Sequence, residues 1–241
     1  MNFATKLITT ILFSVSLLAC KKEQGNTTKE YKYDFNEGLQ GWNILFSDYP
    51  VGEEANHELI FEHAGLPASL NDTCKSIKVG GNNHSDDLMS MLYRKIDGLE
   101  PNTNYYISFS VDLASNACIS CAGAGGSPNL CLGGGILSFL PENEIENSSS
   151  KPMYRPNFVS EIQSCLSNDS ISALGKIGVS DEFPTPYKLI NINNTDESIR
   201  ASTNNIGELW VLVGTDSGFE GITTLYYKQI TIHITNYRVG I

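Results

Sequence analysis

The sequence predicts an all-β fold, a β-sandwich of jelly-roll type, on three observations. Apolar residues recur with a period of two rather than 3.6. Clusters of Gly, Pro, Asn and Asp punctuate the chain between the alternating runs. After residue 20 no segment carries a convincing amphipathic-helix pattern, and many short strands and turns on one chain favour a sandwich or jelly roll.

Strands are predicted at 31–35, 41–47, 57–63, 75–80 and 87–95. The clearest strand is 105–113. There Tyr105, Ile107, Phe109, Val111 and Leu113 share one face, and Tyr106, Ser108, Ser110 and Asp112 share the other, the pattern of a half-buried strand. A run at 134–140 follows, and residues 141–182, with Pro141, Pro152 and Pro156, read as long loops. Another strand is predicted at 186–192. Segment 208–214 sets Leu209, Val211 and Val213 against Trp210 and Leu212, so both faces are expected to be covered. In 223–237, Tyr226, Ile230, Ile232 and Ile234 fall on one face, and Tyr227, Thr231 and His233 on the other.

Lys6 is the only charge before residue 20, and residues 7–19 form an apolar run too short to cross a bilayer. The run closes with Leu17-Leu18-Ala19-Cys20, which looks like a lipobox. The expected organisation is a signal peptide over 1–19, a lipidated Cys20 opening a flexible tether over 20–30, and one sandwich domain over 31–241. One acyl chain anchors marginally and two or more, palmitate among them, anchor firmly. The membrane is then a partner through that lipid. The expected location is the cell envelope, extracytoplasmic, at the outer membrane or cell surface.

The formal net charge is −11 at pH 7. So acidic a chain is repelled by nucleic acid and by anionic lipid heads, and it accepts neutral polar ligands and cations more readily. Besides Cys20 there are five cysteines: Cys74, Cys118, Cys121, Cys131 and Cys165. In an oxidising compartment these predict two disulfides and one leftover thiol. Cys118-x-x-Cys121 followed by Cys131 lacks a second C-x-x-C or a His pair at zinc spacing, so a disulfide-stapled loop is expected there.

Two motifs are set aside on chemistry. Gly123-Ala124-Gly125-Gly126-Ser127-Pro128 has Pro128 where a dinucleotide loop needs its third glycine, and no helix follows to hold a phosphate. Thr215-Asp216-Ser217-Gly218-Phe219 resembles the nucleophile motif of trypsin-like proteases, but no histidine stands in a triad context. Two polar segments remain. Gly80–Asp87 is dense in Asn and Asp, whose short side chains suit sugar hydroxyls or a hard cation. Asp216–Gly221 places two acids in a glycine-flanked loop. The two are expected on one side of the sandwich, gathering Asp86 or Asp87 with Asp216 and Glu220. Such like charges need a cation or N–H donors to offset them.

Tyr33–Trp42, Leu99–Phe109 and Thr224–Ile230 resemble the first, middle and last strands of carbohydrate-binding jelly rolls with the galactose-binding-like fold. Asp48–Gly52, Gly81–Leu88, Gly123–Pro128 and Gly214–Gly221 resemble recurring pieces of a group of secreted bacterial lipoproteins to which no activity is assigned. The jelly-roll resemblance implies a structural Ca²⁺ held by acids after the first-strand Phe and near the last strand. Here Asn36 and Lys228-Gln229 stand in those places. A Ca²⁺ ion would instead use Glu37, Asp86, Asp87, Asp216 or Glu220.

The expected function is a non-catalytic, surface-exposed module that binds a polysaccharide or another envelope component. Trp42, Tyr49 and Phe219 would stack on sugar faces, and Asn83, Asp86 and Asp87 would take hydroxyl hydrogen bonds, with Asp216 and Glu220 beside them. One alternative is a glycoside hydrolase or lyase using paired carboxylates such as Asp87 and Glu220. The other is a structural or adhesin-like lipoprotein without a small ligand.

Overall fold

The computed structural model describes residues 26–84, 87–147, 151–195 and 198–236. The predicted signal peptide, Cys20 and Asp86 lie outside the described residues. The first half of the chain forms β1 (Thr27–Asp34), β2 (Asn43–Ser47), β3 (Ile60–Gly65), β4 (Lys75–Asn82), β5 (Leu88–Ile96) and β6 (Asn104–Ser115). Next come β7 (Ala117–Cys118), β8 (Cys131–Leu137), β9 (Asn143–Glu146), β10 (Met153–Pro156), β11 (Ile171–Lys176) and β12 (Gly178–Ser180). The chain closes with β13 (Lys188–Asn193), β14 (Ile199–Ser202), β15 (Leu209–Ser217) and β16 (Ile222–Asn236). Strand β1 begins at Thr27, inside the stretch expected to be tether.

Two antiparallel sheets face each other, the all-β jelly-roll sandwich the alternation predicts. One runs β13-β6-β16-β4-β3, with β14 beside β6 and β1 beside β16. The other runs β11-β8-β15-β5-β2. The main core lies between them. Ile107, Phe109, Val111 and Leu113 of β6 are fully buried against Val211 and Val213 of β15 and Ile230 and Ile232 of β16. Each such side chain contributes on the order of 1.5–3 kcal/mol by leaving water.

The long last strand departs from the expected phase. Tyr227 is buried with Leu225, Ile230, Ile232 and Ile234, while Tyr226 is only half-buried. The register against β6 steps from Tyr227↔Leu113 to Gln229↔Asp112, so Lys228 is an extra residue. This is a β-bulge, and it reverses which residues point inward on either side of it. A strict alternation through 226–234 therefore assigns both tyrosines to the wrong face.

Residues 141–182, expected as loops, contain the β9–β10 ribbon, β11 and β12. Much of this excursion lies over the outer face of the second sheet. Ile162 and Ile171 pack there with Met89, Met91, Leu137 and Leu212, which form a second buried cluster. The Gly133-Gly134-Gly135 run of β8 makes the approach close enough. A Cβ at Gly133 would stand 2.5 Å from Ile162 Cδ1 and 2.6 Å from Ile171 Cγ2. Both faces of β15 are covered as a result, Val211 and Val213 on one side and Leu212 on the other. Cys131–Cys165 and Cys118–Cys121 are disulfides and Cys74 is a free thiol, in line with two bridges and one leftover cysteine.

Candidate functional site

Strand β15 belongs to one sheet and β16 to the other, so residues 218–221 between them cross the edge of the sandwich. Asn83 holds this crossing in place. Its amide donates to Ser217 O at 2.6 Å and to Phe219 O at 3.1 Å, and its backbone N–H donates to Gly221 O at 3.0 Å. The two polar segments singled out in the sequence therefore meet. What they build is two different regions, one that includes Asp87 and Asp216 and one that includes Phe219.

The first region is charged. Arg155 of β10 donates through Nη1 to Asp48 at 2.7 Å and to Asp87 at 3.0 Å, and through Nε to Glu146 at 2.9 Å. Gln163 Nε2 donates to Asp87 at 3.2 Å and to Asp216 at 3.4 Å, so these two carboxyls share one amide. Asp216 also accepts the Ile162 N–H at 3.1 Å. Burial pushes the Asp216 carboxyl up to about 6, with Asp87 adding to the rise and the Ile162 N–H opposing it. Burial pushes Asp48 up to about 7, against the Arg155 hydrogen bond, while Asp87 and Asp216 add to the rise. Arg155 itself is held more firmly protonated, first by Asp48. The two partners thus pull in opposite senses. The second carboxylate oxygen of Asp48 is buried without a hydrogen-bond partner. That uncompensated oxygen is the reason burial wins at Asp48.

Arg155 and the N–H donors supply the compensation that clustered acids require. Among the described residues no group of three or more His, Cys, Asp and Glu side chains converges as a metal site. Asp216 is 1% exposed and Asp48 4%, so neither can touch a substrate. The network pins the excursion from β9 to Gln163 onto the sandwich.

The second region is a cleft of about 330 Å³. Its wall is set by the short parallel pairing of β7 with β12. Ile119 N–H donates to Ser180 O at 3.0 Å, and Ser120 N–H donates to Asp181 at 2.8 Å. These bonds bring the Cys118–Cys121 turn alongside residues 183–185. Phe183 stands at the mouth, 93% exposed, and Phe219 reaches into the wall from the crossing. Ser115, Asn116, Thr185, Thr223 and Thr224 supply hydroxyl and amide groups, and among the described residues no charged side chain lines the cleft. The glycine-rich loop finds its physical role here. A Cβ at Gly123 would stand 2.3 Å from the Phe219 ring, so only glycine lets that ring lie against the loop.

The structure separates the residues expected to bind. Trp42 is 1% exposed and lies edge-on to Tyr33 and Phe35 in the main core, so neither face can stack on a sugar. Tyr49 is 5% exposed, flanked by His57 and Tyr154, and burial raises its hydroxyl to about 12. Asn83 is a buried strut rather than a ligand group. Asp87 and Asp216 come together in the charged network. Glu220 stands exposed on the crossing, its backbone N–H donating to Ala124 O, and has no part in that network. Among the described residues Asp87 and Glu220 share no hydrogen-bond partner. Phe219 alone of the three expected stacking rings reaches a cleft. Phe183, Arg155 and Gln163 were not singled out from sequence. For Phe183 a signal was present, an aromatic set between acids and prolines in the run Asp181-Glu182-Phe183-Pro184-Thr185-Pro186.

No family model matches the chain, and no curated protein matches it. Solved structures do. The family 11 carbohydrate-binding module of a cellulosomal cellulase of Clostridium thermocellum is 10% identical, covering 85% of this chain and 94% of that one, with a TM-score of 0.39. A carbohydrate-binding module described for specific mannan recognition is 8% identical over 86% of this chain and 97% of its own, at 0.34. A xylan-binding domain is 12% identical over 88% and 96%, also at 0.34.

Proposed function

We propose that the chain is a non-catalytic binding module for a neutral saccharide, held outside the cytoplasm by a lipid on Cys20. The observation that carries the reading is the cleft, an uncharged concavity in a chain of net charge −11 with a nearly bare phenylalanine at its mouth. A sugar ring presents apolar C–H faces and a rim of hydroxyls. Phe183 and Phe219 offer the faces something to lie against, and the threonine hydroxyls and Asn116 offer the rim its partners. An anionic glycan has no counter-charge in this lining. Support for the anchor is the order of apolar run, small residue and cysteine at 7–20.

A glycan array probed with residues 26–241 tests the binding. Neutral glycans are expected to be retained, and Phe183→Ala is expected to weaken the best of them about two- to tenfold, from a ring contact of about 0.5–1.5 kcal/mol. An empty array, or affinity unmoved by Phe183→Ala, overturns the reading. For the anchor, Cys20→Ala in the full chain is expected to release the protein from membranes.

A further inference from the structure

The Cys118–Cys121 bridge has little structural work to do. It spans three positions, against 34 for Cys131–Cys165, and a ring so short removes little entropy from the unfolded chain. The turn it closes is already fixed by the bonds from Ile119 and Ser120, and by the Asn129 amide donating to Ile119 O at 3.0 Å. Its setting is that of a reactive bridge. Both sulfur-bearing residues line the cleft, so a molecule seated there meets the disulfide directly. They differ in access: Cys118 is 5% exposed, and Cys121 is only half-buried. Exposed bridges are the ones that exchange, and attack falls on the sulfur that can be reached. Asp181 Oδ1 lies 3.7 Å from Cys118 Sγ, so a sulfur released there must be protonated as it leaves.

We propose that Cys118–Cys121 is a thiol–disulfide exchange site that oxidises a dithiol carried on an uncharged molecule entering through the cleft. The saccharide-binding reading is not needed for it. A substrate thiolate attacks Cys121 Sγ. A substrate–Cys121 disulfide forms, the Cys118–Cys121 bond breaks, and its electron pair leaves on Cys118 Sγ. That buried sulfur takes a proton from water as it leaves, because a bare thiolate 3.7 Å from the Asp181 carboxylate is disfavoured. The second substrate thiolate then attacks the substrate sulfur of the mixed disulfide. The substrate disulfide forms, and Cys121 leaves as a thiolate and takes a proton from water. Two electrons pass from the substrate dithiol to the bridge, and two protons replace those the substrate thiols gave up. One bridge oxidises one dithiol. The uncharged lining and the net charge of −11 select against anionic thiols.

The test uses the oxidised full chain and needs no variant at first. Dithiothreitol, which is neutral, is added at low concentration, samples are quenched in acid, and free thiols are alkylated and located by mass spectrometry. Cys118 and Cys121 are expected to become reactive at least about 100-fold faster than Cys131 and Cys165, with circular dichroism unchanged. Glutathione is expected to lag dithiothreitol by about tenfold more than it does on an exposed reference peptide disulfide. In Cys118→Ser, a thiol-reactive aromatic disulfide should trap Cys121. Asp181→Asn removes the carboxylate beside the leaving Cys118 sulfur and should speed the exchange several-fold. Reduction of both bridges together, or only on unfolding, overturns the proposal.

Discussion

The charged network adjoins the 218–221 crossing through Asp216 and the cleft through Phe219, and the two handle charge in opposite ways. In the network Asp48, Asp87, Glu146 and Asp216 are gathered tightly enough that Arg155, Gln163 and a backbone N–H must compensate them. In the cleft there is no charge to compensate. The network buries Asp48 and Asp216 while Arg155, Asp87 and Glu146 stay partly open to solvent, and the cleft offers a ring that is almost wholly bare. In this acidic chain a cluster of four acids is therefore a fastening, and the proposed binding surface is the part without ions. The same division runs through the two disulfides: Cys131–Cys165 ties the excursion to the second sheet, and Cys118–Cys121 borders the cleft.

The division is sharpened first by removing each bridge. Cys131→Ala with Cys165→Ala is expected to cost about 4 kcal/mol, and Cys118→Ala with Cys121→Ala about 2, from the different ring lengths. Denaturant titration checks this, and equal losses would erase the distinction. Next, Arg155→Met leaves the buried Asp48 carboxyl facing other acids without its cation. A loss of about 3 kcal/mol is expected, with glycan affinity unchanged at low temperature. A parallel loss of affinity would show that the two regions are one.

A smaller effect concerns pH. Asp48 is raised to about 7 and Asp216 to about 6, so the folded chain holds protons that the unfolded chain releases. Their contribution to stability is fully present below the ordinary carboxylate range and is lost as pH rises through 6 and 7. The melting temperature should fall between pH 5.5 and pH 8, and Asp48→Asn should flatten that slope. A slope that survives the substitution places the titration elsewhere. Smallest of all, Phe183→Ala should change stability by less than about 0.5 kcal/mol while still weakening the ligand. A larger loss on melting would make Phe183 a packing residue.

The strands were legible because burial on one face writes itself into the sequence every second residue. Ile107, Phe109, Val111 and Leu113 could be placed from that pattern alone, and so could the double coverage of 208–214. Residues 141–182 were not, because β11 packs partly against glycine, and Gly133–Gly135 carry no side chain to alternate. At the site, the meeting of Asp87 with Asp216 follows from two polar segments that neither can be buried singly. Which aromatic faces water is a different matter. Trp42, Tyr49 and Phe183 are equally apolar in sequence, and their exposures of 1%, 5% and 93% depend on neighbours distant in the chain. Arg155 was hidden for the same reason, since its three acids come from β9 and from two loops far upstream.

The bulge at Lys228 has a consequence for comparing this chain with others. A protein of the same topology lacking that one residue would alternate without a break from the crossing to the end of the strand. Aligned to this chain without a gap, its inward positions would be matched to outward ones on one side of residue 228, and the identity count there would be meaningless. A one-residue gap placed at Lys228 brings both halves of the strand into phase. Such a gap would look unjustified by the letters alone, yet it is where the hydrogen-bond ladder itself skips a step.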